Sequence, residues 1–158
     1  MADDKREFLR HALATVAYRG GKAVRGANEE FAQFEIGENP RTPATILAHI
    51  GDLFDWAVTM AEGKQIWKDS TPLPWDDEVQ RFHAALKKLD DYLASEQPLA
   101  ASPEVLFQGP VADALTHVGQ LAMLRRLAGT KMRAENYAKA EVVIGRVGAE
   151  QTAPKREF

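Results

Sequence analysis

Residues 42–60 have the sequence TPATILAHIGDLFDWAVTM and carry the clearest helix signal in the chain. Thr42 supplies a capping hydroxyl, and Pro43 follows at the first helical position, which is a typical helix start. Mostly apolar side chains then recur at steps of three and four residues: Ile46, His49, Leu53, Trp56 and Met60. This spacing indicates one buried face of an amphipathic α-helix, which we expect to run to about Ala61.

The same periodicity predicts three further long helices, at about 5–19, 77–95 and 111–128. We expect Gly20-Gly21 to end the first of them, Asp76 to cap the second and Gly109-Pro110 to precede the third. A shorter helix is predicted around residues 136–142, and residues 22–39 are expected to fold back as a packed connection.

No segment alternates with period two over a convincing length, so the sequence predicts an all-α protein. Four helices of this length favour a four-helix bundle with additional short helical segments. We expect a single domain over residues 1–158, with a bundle core at about 4–129 and a C-terminal extension at 130–158.

Composition excludes several classes of function. The 158 residues include 20 Lys and Arg against 23 Asp and Glu, and no cysteine. The absence of cysteine excludes thiolate nucleophiles and cysteine-based metal sites, and the slightly acidic balance argues against a nucleic-acid partner. The charged N-terminus lacks the apolar core of a signal peptide, and no apolar run approaches the ~18 residues of a membrane span. We therefore expect a cytoplasmic protein without a membrane partner.

Each predicted helix carries one histidine, which raises the question of a four-histidine metal site. His49 lies within the apolar face of its helix. His11 falls far from the apolar face of the first helix, and His83 only flanks that of the third. A site built from all four histidines is therefore not expected.

The last long helix offers a better arrangement. Asp113 and His117 are four residues apart, so their side chains lie on one face of the helix, one turn from each other. Together with His49 they would form a three-ligand site with open positions, as in catalytic metal centres. Two simpler interpretations remain open: a hydrogen-bonded core histidine, or an Asp113–His117 pair without a metal.

Two motifs resemble those of the DinB/YfiT-like superfamily of metalloenzymes. They are TPATILAH at residues 42–49 and DALTHVGQLAMLRRLAG at residues 113–129, and the likeness extends from the first helix to about Gly129. The resemblance implies a four-helix bundle, often a homodimer, with zinc or nickel held by three side chains. His49 and His117 match two of the ligands. Asp113 stands where that family most often has another histidine, which leaves a weakened or lost metal site open.

The resemblance also implies a function, a transferase that uses a low-molecular-weight thiol on a small electrophilic substrate. In this interpretation Trp56, Met60 and Gln120 contact the substrate, and Asp52 accepts a hydrogen bond behind the metal ligands. Ordinary core packing is the alternative for Trp56 and Met60, and the polar edge of a helix face is the alternative for Gln120 and Asp52. A metal-dependent hydrolase with the same ligands, or a non-catalytic dimeric bundle that binds a small molecule, are the alternative functions.

Two further tryptophans, Trp67 and Trp75, flank the turn-rich connection between the second and third predicted long helices. They are candidates for closing over a pocket or for a dimer contact, and the sequence does not choose between these.

Overall fold

The computed structural model describes residues 3–38, 40–130 and 132–158. Four long helices dominate them, together with two single-turn helices and a π-helical segment. In chain order these are α1 (Asp4–Val24), α2 (Glu29–Ala32), α3 (Pro43–Ala61), α4 (Trp75–Ala94), α5 (Pro103–Leu106), the π segment (Phe107–Val111) and α6 (Ala112–Leu127). A 3-10 turn at Tyr137–Lys139 follows in the C-terminal extension.

The long helices pack around one shared core. α1 and α3 each lie against both α4 and α6. Their apolar faces meet in a buried cluster that includes Leu13, Ile50, Phe54, Leu86 and Leu121. The described residues contain no β-strand, only an isolated antiparallel bridge between Glu135 and Glu157, so the predicted all-α class is confirmed. None of the described helices combines the length and the apolar character that crossing a lipid bilayer requires.

Helix α3 matches its prediction at both ends. Thr42 is the N-cap, its hydroxyl accepts a hydrogen bond from the backbone N–H of Thr45 at 3.3 Å, and Pro43 occupies the first turn. The helix ends at Ala61, and Gly63 adopts a positive φ of 81° just beyond it.

The predicted end of α1 at Gly20-Gly21 is wrong, because the helix continues to Val24. Gly20 is buried where α1 crosses α4. A Cβ atom at this position would lie 2.7 Å from Cζ of Phe82, whose ring is fully buried. The glycine is therefore explained by close helix packing rather than by a helix end.

This packing predicts opposite effects for two helical glycines. Gly20→Ala is expected to destabilise the protein by about 1–3 kcal/mol, since the buried ring has no free space into which to move. Gly119→Ala is the matched control, because nothing lies within 4 Å of its added Cβ. We expect the control to gain about 0.5–1 kcal/mol from helix propensity. Urea unfolding measures the free energy of unfolding of both variants. Equal stability of the two variants would contradict the close packing of Gly20 against Phe82.

Gly109-Pro110 precedes α6, as predicted, but it lies within helical backbone rather than in a break before the helix. Helical backbone begins at Pro103, after the Ser102 cap, and continues through the π segment into α6. A proline ring inside an α-helix clashes with the carbonyl four residues earlier, and a wider π turn relieves that clash. The π segment immediately precedes the turn that carries Asp113.

Three smaller predictions also need correction. α4 begins at Trp75 after Pro74 without a side-chain cap, so Asp76 is not the cap. Of the three apolar residues expected to pack in the connection before α3, Phe31 and Phe34 contact the core as predicted, whereas Ile36 is exposed. The tail forms one 3-10 turn at Tyr137–Lys139 rather than a helix over 136–142.

A buried polar cluster joins the C-terminal extension to α1. The Glu135 side chain has no exposed surface and accepts hydrogen bonds from the Tyr18 hydroxyl and from Lys22 Nζ, the latter at 2.7 Å. Lys22 also contacts Glu157 at 3.0 Å. Burial, and then the hydrogen bond to Glu135, raise the pKa of Tyr18, so the phenol stays protonated and donates to the carboxylate.

Candidate metal centre

His49 on α3 and the pair Asp113 and His117 on α6 meet between the two helices. One ligand atom from each of the three residues lies within 4.8 Å of the others. Asp113 stands between the imidazoles, with Oδ2 3.5 Å from Nε2 of His49 and Oδ1 3.3 Å from Nε2 of His117. The two rings are almost perpendicular, at 88°, with their centroids 4.8 Å apart.

These separations are compatible with donors that share an ion. A charge-assisted N–H···O hydrogen bond is typically about 2.7–2.9 Å long. Tetrahedral coordination with bonds of about 2.0–2.1 Å places neighbouring donor atoms about 3.3 Å apart. The distances of 3.3 and 3.5 Å run to different oxygens of Asp113, and both exceed a charge-assisted hydrogen bond. With one ligand atom from each residue within 4.8 Å of the others, the three side chains could hold a divalent cation.

Exposure differs strongly among the three side chains. That of His117 is 8% exposed, that of His49 23% and that of Asp113 46%. The carboxylate therefore lies on the open side of the group, and the imidazoles lie toward the protein interior. A ligand from solvent reaches the group from the side of Asp113.

The surroundings of His49 favour a neutral imidazole. Burial lowers its pKa below 6.5, the nearby His117 ring and the Arg41 guanidinium lower it further, and Asp113 opposes them only in part. At neutral pH the ring nitrogen thus keeps its lone pair, which metal binding requires.

Trp67 forms a wall of the site. Its ring packs edge-on against His49 at a centroid distance of 5.5 Å and against Trp56 at 5.7 Å. Two roles were predicted for Trp67, closing over a pocket or forming a dimer contact. Its position against His49 favours the first role. Trp75 instead is buried against Phe31, at a ring distance of 5.5 Å.

Side chains of α3 and α4 anchor the loop that carries Trp67. The backbone N–H groups of Ile66, Ser70 and Leu73 donate to Thr59, Asp52 and Glu78 respectively, each at 2.9 Å. Asp52 and Glu78 are buried and both pair with Arg81. The wall is thus fixed by charged groups outside the ligand set.

The other predicted site residues differ in where they lie. Trp56 lines a groove of about 410 Å³ beside Asp113, together with residues of α3, the π segment and α6: Leu53, Gln108, Gly109, Ala112 and Thr116. Met60 is buried in the core and does not line this groove.

The structure defines the polar contacts of Asp52 and Gln120. Asp52 was expected to accept a hydrogen bond behind the metal ligands, but its two oxygens bond to Arg81 and to the Ser70 N–H. Gln120 was expected to contact substrate, which stays a prediction, and its Oε1 lies 2.7 Å from Nδ1 of His117. Among the described residues, this group is the one cluster of metal-ligating side chains, and His11 and His83 lie outside it.

Comparison with known proteins gives no relative. The chain matches no protein-family model, no curated protein and no solved structure. Functional inference therefore depends on the geometry of the site and on the resemblance of the two motifs.

Proposed function

We propose that the protein is a divalent-metal-dependent enzyme with a DinB-like four-helix bundle, in which His49, Asp113 and His117 hold the metal. The convergence of these three side chains from two helices is the observation that carries the proposal. The mutual packing of α1, α3, α4 and α6 around one core supports the bundle.

Three protein ligands favour catalysis over a purely structural metal role. Structural zinc sites are usually closed by four protein ligands, whereas catalytic sites keep a position for water or substrate. A divalent ion bound here would lower the pKa of an incoming thiol and favour its thiolate form at neutral pH. We propose on this basis a transferase that joins a low-molecular-weight thiol to a small electrophile.

The surrounding residues would position the substrate. Trp67 covers His49 and limits access from the loop side, while the groove beside Asp113 stays open. Trp56 and Leu53 give this groove an apolar wall, and Gln108 and Thr116 offer polar atoms at its edge. A small molecule with an apolar body would fit these surfaces.

The donor set also bears on the choice of metal. Two imidazoles suit zinc and nickel, and the carboxylate shifts the preference toward harder ions such as manganese. We propose zinc or nickel as the resident ion because two of the three donors are imidazole nitrogens.

Metal analysis of the protein purified without chelator or nickel resin tests the metal site. We expect near-stoichiometric metal in the wild type and almost none in His49→Ala or Asp113→Ala. His11→Ala is the matched control, because His11 is exposed and lies outside the cluster. Failure of every preparation to bind added zinc or nickel would favour a metal-free scaffold.

A second assay separates the proposed reaction from its alternatives. Turnover of a model electrophile such as 1-chloro-2,4-dinitrobenzene is expected only when a thiol is added. Turnover of an activated ester without thiol would instead favour a metal-dependent hydrolase. Stoichiometric metal without either activity would favour the non-catalytic bundle. The homodimer stays a prediction from the resemblance, which light scattering after size-exclusion chromatography tests.

A further inference from the structure

Gln120 lies one turn after His117 on α6 and makes a single defined contact with it. Its Oε1 is 2.7 Å from Nδ1 of His117, which is the usual length of a good hydrogen bond. The other ring nitrogen, Nε2, points to Asp113 at 3.3 Å. The two nitrogens of the buried ring therefore face different partners.

This geometry restricts the tautomer of the imidazole. A neutral imidazole has one N–H and one lone pair, and a neighbouring hydrogen bond determines which nitrogen carries the proton. With the amide oxygen of Gln120 facing it, Nδ1 of His117 carries the proton and donates it. Nε2 is then left with the lone pair, on the side of Asp113 and His49.

We propose that Gln120 is a positioning residue that holds His117 in the Nδ1–H tautomer and fixes its ring for metal binding. The inference rests on the proposed metal centre and adds to it the reason why the ring is ready to bind. Metal-ligating histidines commonly depend on such a partner, whose loss costs about 10–100-fold in metal affinity.

Because Gln120 is exposed, its substitution should leave the fold intact. We expect Gln120→Leu to weaken zinc binding by about 10–100-fold in a competitive chelator titration. Gln120→Glu keeps an acceptor at the same place and is expected to bind zinc at least as tightly as the wild type. Gln80→Leu, the same substitution at an exposed position of α4 outside the site, is the control and should change the affinity less than about 2-fold.

The substitution by Glu separates the two possible orientations of the amide. If Gln120 donated to Nδ1 instead, the wild-type His117 would be protonated at Nε2. Gln120→Glu would then move the proton to Nδ1, and Gln120→Leu would cost little zinc affinity. Met123→Glu adds the same charge at an exposed position one turn further along α6, and it controls for electrostatic attraction of the cation.

Nitrogen-15 NMR of the metal-free protein provides a readout that general loss of stability would not produce. We expect His117 to be protonated at Nδ1 in the wild type and in Gln120→Glu, and at Nε2 in Gln120→Leu. The role of Gln120 would be overturned if Gln120→Leu bound zinc as tightly as the wild type, or if the Leu and Glu variants lost equal zinc affinity. Neither result would overturn the metal centre itself. A wild type that binds no zinc would overturn the metal centre and this role together.

Discussion

His117→Ala is expected to weaken zinc binding by more than about 100-fold, the larger of the two principal effects that the structure predicts. His117 is the most buried of the three ligands, and its Nε2 lies 3.3 Å from Asp113. Its loss leaves one imidazole and one carboxylate, too few protein donors for a tight site. A competitive chelator titration followed by fluorescence measures the change.

The fold has to be monitored separately, because His117 is also part of the buried surface. Circular dichroism and urea unfolding of the metal-free variant should show a folded protein. His11→Ala is again the control, with unchanged zinc affinity. A folded His117→Ala variant that binds zinc as tightly as the wild type would contradict the ligand assignment.

Glu135→Ala is expected to produce the largest loss of stability, about 3–5 kcal/mol. The substitution leaves Lys22, whose side chain is only 8% exposed, without its closest partner at 2.7 Å, and it also removes the acceptor of the Tyr18 hydroxyl. A buried charge that loses its closest partner keeps the cost of desolvation with less compensation, since only the Glu157 contact at 3.0 Å remains for Lys22. Urea unfolding in the absence of metal measures the free energy.

An exposed ion pair provides the comparison for this prediction. Lys87 and Asp91 contact each other at 2.8 Å, but their side chains are more than 60% exposed, at 66% and 61%. Asp91→Ala should therefore cost no more than about 0.5 kcal/mol. A loss in Glu135→Ala as small as that in Asp91→Ala would show that the buried cluster does not hold the extension on α1.

Local sequence signals were sufficient to predict helix α3. Its cap, its proline and its apolar stripe all lie within one segment, so the sequence alone predicts both ends. The same reasoning gave a wrong end for α1, because the reason for Gly20 is the ring of Phe82, which lies on another helix. A pair of glycines commonly marks the end of a helix. Only the position of Phe82 shows that Gly20 instead allows two helices to pack closely.

Part of the candidate site could be predicted for a similar reason. The spacing of four residues between Asp113 and His117 fixes their proximity on any helix. The approach of His49 depends on α3 packing against α6, which local patterns do not determine; the motif resemblance suggested it. Trp67 reaches the site through a loop whose anchors on Asp52 and Glu78 leave no periodic signal in the sequence.

Gln120 shows what spacing leaves open about a residue near the site. Its position one turn after His117 predicts a place beside the metal ligands, and its contact with a substrate stays a prediction. The structure adds the 2.7 Å contact between its Oε1 and Nδ1 of His117. Spacing predicts which side chains are neighbours, but it does not give the atom that each one contacts.

X-ray absorption spectroscopy of the zinc-loaded protein tests the shared metal site most directly. We predict a first shell with two imidazole nitrogens and one carboxylate oxygen at about 2.0–2.2 Å, and the loss of one imidazole contribution in His49→Ala. A first shell of water oxygens alone, unchanged in His49→Ala, would contradict the account and leave the three side chains without a common ion.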